Sequence, residues 1–444
     1  MKKFYLFAAV AGVVLAGCAK VEKTVTGEPG NVPIVFEPVA NNLATKAAIP
    51  GEVNTDYSIG TGTKQYESFK VWAGYKKDAA ATNIGEIEGD FFSGVVASPN
   101  NDSSPTYWSA ENAYWPKEGT ETDPKVYLSF HAFSPSDLTP THTWANGFTL
   151  ANYEVKANVA EQIDILYSDY EMNKKRSDYV TSDDVYDENE DETYDGFQYH
   201  GVNINFHHAL SSIKFKVKTA ADYTLAGKHT FTVKAIRIGY AYTTGNFHEN
   251  RPSDATGTAN EYASASAIIE NPGTGFVTVI DTWNDEVFSG SNDGNNTYKK
   301  HPYWSVSTEP ELTPTGSPWS GGCYTIYNDS GVNATASSED IGNTVLAMPQ
   351  PLAHGTNNVQ VQVVYDYVCK TATDTEIVKL ENQVKTIDLH NLSGVDDNEG
   401  SQTINTWLIN HRYTYDIVFK LDQIIFDPKV VDYIDVTIGT VTVD

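Results

Sequence analysis

The chain has 444 residues, 40% of them hydrophobic and 12% aromatic, which is enough apolar material for two to three cored domains and excludes a chain disordered throughout. Its 58 acidic against 30 basic side chains give a formal net charge of −28, a field that repels phosphate backbones and leaves no basic stripe for nucleic acid. Eight Trp and 27 Tyr stand beside three Met, and Thr, Val, Ile and Tyr dominate the apolar runs, so the expected class is all-β.

The first twenty residues read MKKFYLFAAVAGVVLAGCAK. Lys2 and Lys3 form a basic n-region, Phe4 to Leu15 an apolar h-region too short to span a bilayer comfortably, and Leu15-Ala16-Gly17-Cys18 ends it with small residues before a thiol. That tetrapeptide has the form of a lipobox, so residues 1–17 are expected to be a lipoprotein signal and Cys18 to be acylated; an ordinary signal that contains a cysteine is the alternative. No second apolar stretch approaches about 18 residues, and the mature chain is expected to be anchored by lipid without spanning.

A polar tether, AKVEKTVTGEPGN, leads into VPIVFEPVANNLATKAAIP. In that stretch Pro33 and Pro38 bracket Ile34, Val35 and Phe36, a pattern suited to an edge strand, and the polar NNLATK that follows is the accessible kind of segment a protease prefers. From Phe69 the text turns strand-like. FKVWAGY places Phe69, Val71 and Ala73 on one face, and KVYLSFHAF sets Val126, Leu128, Phe130 and Ala132 against Tyr127, Ser129, His131 and Phe133. Residues 171–200 form a charged insertion, read as a solvated loop. In VNINFHHALSSIKFKVK, Val202, Ile204 and Phe206 keep one register and Ile213, Phe215 and Val217 the other, so the parity changes across HHALSS, as a bulge or tight turn would produce. HRYTYDIVFK alternates cleanly, with Tyr413, Tyr415, Ile417 and Phe419 on one face. The simplest partition is two β-sandwich domains, 47–225 and 226–444, after a pro-segment at 18–46.

Catalytic signatures are missing: the chain has no G-x-S-x-G elbow, H-E-x-x-H, P-loop or C-x-x-C, and it is expected not to be an enzyme and to need no cofactor. His207 and His208 are strand neighbours that point to opposite faces, which favours structural roles over joint metal binding. The acidic cluster Asp183, Asp184, Asp187, Glu188, Glu190, Asp191 and Glu192 lacks EF-hand spacing, so no metal site is expected. Beyond Cys18, Cys323 and Cys369 allow a single disulfide in an exported protein, but free, buried thiols are the favoured reading and the pairing the alternative. In Tyr107-Trp108 and Tyr114-Trp115 one ring of each pair is expected in the core and the other at the surface, where it would suit sugar stacking.

In order, the lipobox, a short strand, Ala44-Thr45-Lys46-Ala47, FKVWAGY, YWP at 114–116 with LSFHAFSP, VNINFHHALSSIKFKVK, AMPQPL and TWLINHRYTYDIVF resemble the fimbrillin family of Bacteroidales, the pilin and pilus-tip lipoproteins of the type V pilus. The resemblance runs from Cys18 to about residue 430. It implies two transthyretin-like β-sandwich domains in tandem, lipidation at Cys18, transport to the outer membrane and cell surface, and a cut by a trypsin-like protease between Lys46 and Ala47. The removed strand, about 32–39, would leave a groove for a strand from another pilin subunit. A candidate donor is the segment 429–444, where Ile434, Val436 and Ile438 alternate and Gly439 shifts the register to Val441 and Val443; an ordinary last strand has the same pattern. Lys46 stands where arginine is commoner in the family, Tyr433 where tryptophan is expected, and the residues after Cys18 lack an acidic pair. The reading from another class is a surface glycan-binding β-sandwich lipoprotein that displays Trp108 or Trp115.

Overall fold

Period-two alternation decides the local structure of the strands among the described residues. The computed structural model describes residues 33–40, 68–82, 84–100, 107–116, 126–179, 201–220, 228–249, 268–271, 276–280, 302–309, 311–354, 357–396, 400–420 and 424–432. Among these residues the fold is all-β as expected. The helical elements there are three-residue 3-10 turns, and no helix is long and apolar enough to cross a membrane.

Among the described residues the first ten strands are β1 (Pro33–Ala40), β2 (Phe69–Lys77), β3 (Gly89–Asn100), β4 (Tyr107–Tyr114), β5 (Val126–Ser134), β6 (Thr141–Thr143), β7 (Gly147–Glu154), β8 (Leu166–Ser168), β9 (Glu171–Lys174) and β10 (Val202–His208). Eight of them form a sheet in the order β2-β3-β4-β1-β10-β8-β5-β9, and a further ladder joins β5 to β2, Lys70 opposite Phe133 through Lys77 opposite Val126. The sheet therefore closes on itself, with β9 hanging on β5 outside the ring. Closure removes edges and gives the inward residues of every strand a common interior. That interior holds Ile34, Phe36, Phe69, Val71, Leu128, Phe130, Val202, Ile204 and Phe206, all 0% exposed.

The next strands are β11 (Ser211–Thr219), β12 (His229–Gly239) and β13 (Thr244–His248). β11 runs parallel to His411–Phe419, while β12 lies between Tyr324–Asn333 and Gln360–Lys370 in a second sheet. Phe419 meets Phe231 at 5.0 Å and Tyr365 at 5.3 Å between ring centroids, so the two sheets face each other across an aromatic core. The parity change at HHALSS marks more than a turn. Val202, Ile204 and Phe206 belong to the ring interior and Ile213, Phe215 and Val217 to the second core, so the chain changes sheet at Ala209-Leu210. Strand pairing crosses residue 225: β11 sits in the C-terminal sheet, and β7 pairs with β13.

β5 shows why alternation understates burial here. Its apolar face fills the ring, yet Ser129, His131 and Phe133 on the mixed face are also 1% exposed or less. His131 is tolerated there because Glu249 accepts from it at 2.9 Å and because its ring lies between Phe148 and Tyr170, with centroids 4.2 and 3.9 Å away. The open edge strand Glu376–Asp388 is managed differently. Lys379 and Lys385 stand on it, and Asn382 at φ 51° sits beside a register shift, features that discourage pairing with another chain.

Candidate functional site

The strand foreseen as removable is a stave of the ring. β1 pairs antiparallel with β4 and parallel with β10, but the two ladders are staggered. Pro33, Val35 and Phe36 face β4, and Phe36 to Ala40 face β10, so Phe36 alone has neighbours on both sides. This differs from the edge strand expected from the prolines, and the stagger explains how they fit. Each proline lies where β1 has one partner, so its missing N–H leaves no gap in a central ladder. On the β4 side the ladder is interrupted between Pro33 and Val35, and Asn112 of β4 adopts φ 61°. A ring stave held by a short, broken antiparallel ladder and a parallel one is weakly tied by its backbone.

Its side chains hold it more firmly. Ile34 and Phe36 are 0% exposed and Val35 is 3% exposed. Phe36 stands edge-on to Phe130 and Phe69, with centroids 5.7 and 6.1 Å away. Phe69 in turn contacts Trp108 at 5.3 Å and Phe206 at 5.4 Å, so one phenyl plugs an aromatic cage supplied by β2, β4, β5 and β10. Burying an isoleucine and a phenylalanine this fully contributes about 1.5–3 kcal/mol each. Trp115 closes one end of the cage against Phe130 and stacks on Tyr179, whose phenol is pushed up by burial and by Glu171 nearby.

Two contacts at Gly201 fix the register of β1. The Gly201 N–H donates to Glu37 Oε1 at 2.8 Å, and a Cβ on Gly201 would lie 2.8 Å from the Phe36 carbonyl carbon and 2.9 Å from the Glu37 nitrogen. The absence of a side chain is what lets β1 dock. Gly201→Ala is expected to loosen β1 by about 1–3 kcal/mol, the usual cost of overpacking. Hydrogen exchange checks it: amides of 33–40 should exchange faster while those of β2 and β5 keep their protection, and unchanged exchange in β1 would contradict the contact. Nothing in the surrounding QYHGVNIN singled out this glycine, because its partner lies 164 residues away.

The other foreseen positions fall into two groups. Cys18, Lys46, Ala47, Ile434, Val436, Ile438, Val441, Val443 and the acidic cluster 183–192 lie outside the described residues. Of the candidate donor segment, Lys429–Asp432 belongs to the strand Ile424–Asp432, which pairs along His411–Phe419 and touches Val395 and Asp396. Cys323 and Cys369 are free thiols, the first buried and the second half-buried. Tyr324 pairs with Ile238 at one end of β12 and Cys369 with His229 at the other, roughly 30 Å apart along an extended strand, far beyond bridging reach. Burial pushes the Cys323 thiol up. Two thiols should therefore titrate in the denatured, unreduced protein in addition to any at Cys18, with Cys369 alkylated first under native conditions; no reactive thiol would contradict the structure.

Three of the four rings in the aromatic pairs are placed, and the Tyr107 side chain lies outside the described residues. Trp108 and Trp115 are each 4% exposed and Tyr114 is 38% exposed, so the indoles needed for a sugar platform are core residues. His207 and His208 do point to opposite faces, as expected. His208 Nδ1 pairs with Asp164 Oδ2 at 2.5 Å where both side chains are 0% exposed, and His207 Nε2 with Asp169 Oδ1 at 3.0 Å near the surface. Among the described residues no group of His, Cys, Asp and Glu is arranged to hold a metal ion.

No family model matches the chain, and no curated protein matches it. Among solved structures it is similar to a fimbrial protein from Bacteroides vulgatus ATCC 8482, at 15% identity over 90% of this chain and 99% of that one, with a TM-score of 0.43. It is also similar to a fimbrilin from Porphyromonas gingivalis W83, at 7% identity over 90% of this chain and 97% of that one, with a TM-score of 0.32. Both scores are low, and function has to be read from the chain's own residues.

Proposed function

We propose that this protein is a structural, adhesive pilus subunit that polymerises by exchanging a strand. Its precursor is exported, acylated on Cys18 and held at the outer membrane and cell surface, with tandem transthyretin-like sandwiches as its framework. A trypsin-like protease cuts between Lys46 and Ala47, β1 leaves, and a strand from a neighbouring subunit fills the space; 429–444 is the candidate donor to the next subunit.

One observation carries this reading: β1 closes the ring and supplies two of its fully buried side chains, and its covalent connection to β2 runs through residues 41–68, which contain Lys46. Removing it opens two strand edges, on β4 and β10, above an aromatic cage. That combination of unpaired backbone and apolar pockets recruits an extended segment.

Native trypsin treatment of the purified precursor tests it. Cleavage at Lys46, followed by growth of polymers in sedimentation and electron microscopy once donor subunits are supplied, is the expected result. Resistance of Lys46 under native conditions, or cleavage without polymer growth when donor subunits are present, would sink the reading.

A further inference from the structure

The ring's interior says what kind of strand can replace β1. The position left by Phe36 is a cage faced by Phe130 and Phe69, with Trp108 and Phe206 behind them, and Phe36 fills it to 0% exposure. Interiors are packed to crystal-like density, so a smaller side chain in that cage leaves a cavity that its aromatic walls cannot collapse around. The position of Ile34, two residues earlier on the same face, takes a branched aliphatic side chain.

The chain's own candidate donor does not meet this demand. Residues 434–444 read IDVTIGTVTVD, with apolar side chains that are all isoleucine or valine. The mismatch holds for every register and for both strand directions, because no aromatic residue occurs in that run. Tyr433, just before it, would bring a hydroxyl into a cage of apolar rings, where an unpartnered polar group is costly. The Phe36 position is also the one place where β1 has neighbours on both sides, so the underfilled site would sit at the centre of the docked strand.

We infer that the ring of this subunit is filled by a strand from a different chain, one bearing a phenyl side chain with a branched aliphatic residue two positions from it, and not by the tail of a second copy. This rests on the strand-exchange reading and names the partner that reading leaves open. The subunit then joins two unlike neighbours, accepting from one kind of chain and donating its aliphatic tail to another kind of ring.

The test uses the full chain after trypsin cleavage and fluorescent peptides read by anisotropy, with circular dichroism to verify that the cleaved chain keeps its strands. The peptides are residues 33–40, the same with Phe36→Val, residues 430–444, and the last with Ile438→Phe. The 33–40 peptide should bind; the Phe36→Val peptide and the native tail should each bind about tenfold or more weakly, as a lost buried ring implies, and Ile438→Phe should recover much of the loss. A native tail that binds as tightly as 33–40 overturns the inference and leaves strand exchange standing. A cleaved chain that takes up no peptide, 33–40 included, or that loses its strands on cleavage, overturns both.

Discussion

Phe36→Ala is expected to destabilise the uncut protein by about 3–5 kcal/mol, the range for deleting a fully buried aromatic ring. The cost belongs at the upper end because the ring is 0% exposed and its neighbours Phe69 and Phe130, with Trp108 and Phe206 packed behind Phe69, are themselves rigid aromatics on four different strands, which limits relaxation into the void. Urea unfolding monitored by tryptophan fluorescence reads it directly, since Trp108 and Trp115 line the same interior. The midpoint should fall with little change in slope. Glu37→Ala, which removes one hydrogen bond to Gly201 from a half-buried side chain, should cost about 0.5–1.5 kcal/mol and serves as the control on the same strand. A Phe36→Ala loss no larger than that of the control would mean that β1 does not seat in the ring.

Asp164→Ala and Asp169→Ala form a second pair with opposite expectations. Asp164 and His208 are both 0% exposed and 2.5 Å apart, so deleting the carboxylate removes a fully buried hydrogen-bond partner of the imidazole, and a loss of about 3–5 kcal/mol is expected. Asp169 and His207 make a similar contact at 3.0 Å, but their side chains are 17% and 15% exposed, and solvent replaces the lost partner; the expected loss is about 0–1 kcal/mol. The two variants differ by five positions in sequence. Equal melting shifts for both would contradict the placement of His207 and His208 on opposite faces of β10.

These pairs mark where the sequence was readable. Alternation located the strands and their inward faces, because period two is a local property: Phe69 and Val71, Leu128 and Phe130, Val202 and Ile204 all fill the ring. The parity break at HHALSS was legible as a break, but its meaning, a passage between two cores, depends on strands near residues 130 and 415 that no local window contains. The same holds for His131, which by alternation belongs to a half-wet face and is buried because Glu249, 118 residues away, packs against it. Prolines at 33 and 38 suggested an edge, and locally they behave as on one; only the pairing of β1 with two different strands in succession reveals a stave that closes a ring. The cysteines allowed a bridge by count, and the length of β12 forbids it.

The covalent thread of residues 41–68 between β1 and β2 has a kinetic consequence. While the thread is whole, each departure of β1 is followed by return from a local concentration of about a millimolar, whatever the protein's concentration in the medium. A strand with a broken ladder and two anchoring side chains can therefore stay seated in the intact chain. After a cut anywhere in the thread, return becomes bimolecular and slows in proportion to dilution, while the rate of departure is set by the same contacts as before. Hydrolysis of one peptide bond in the connection thus converts a lasting plug into a transient one.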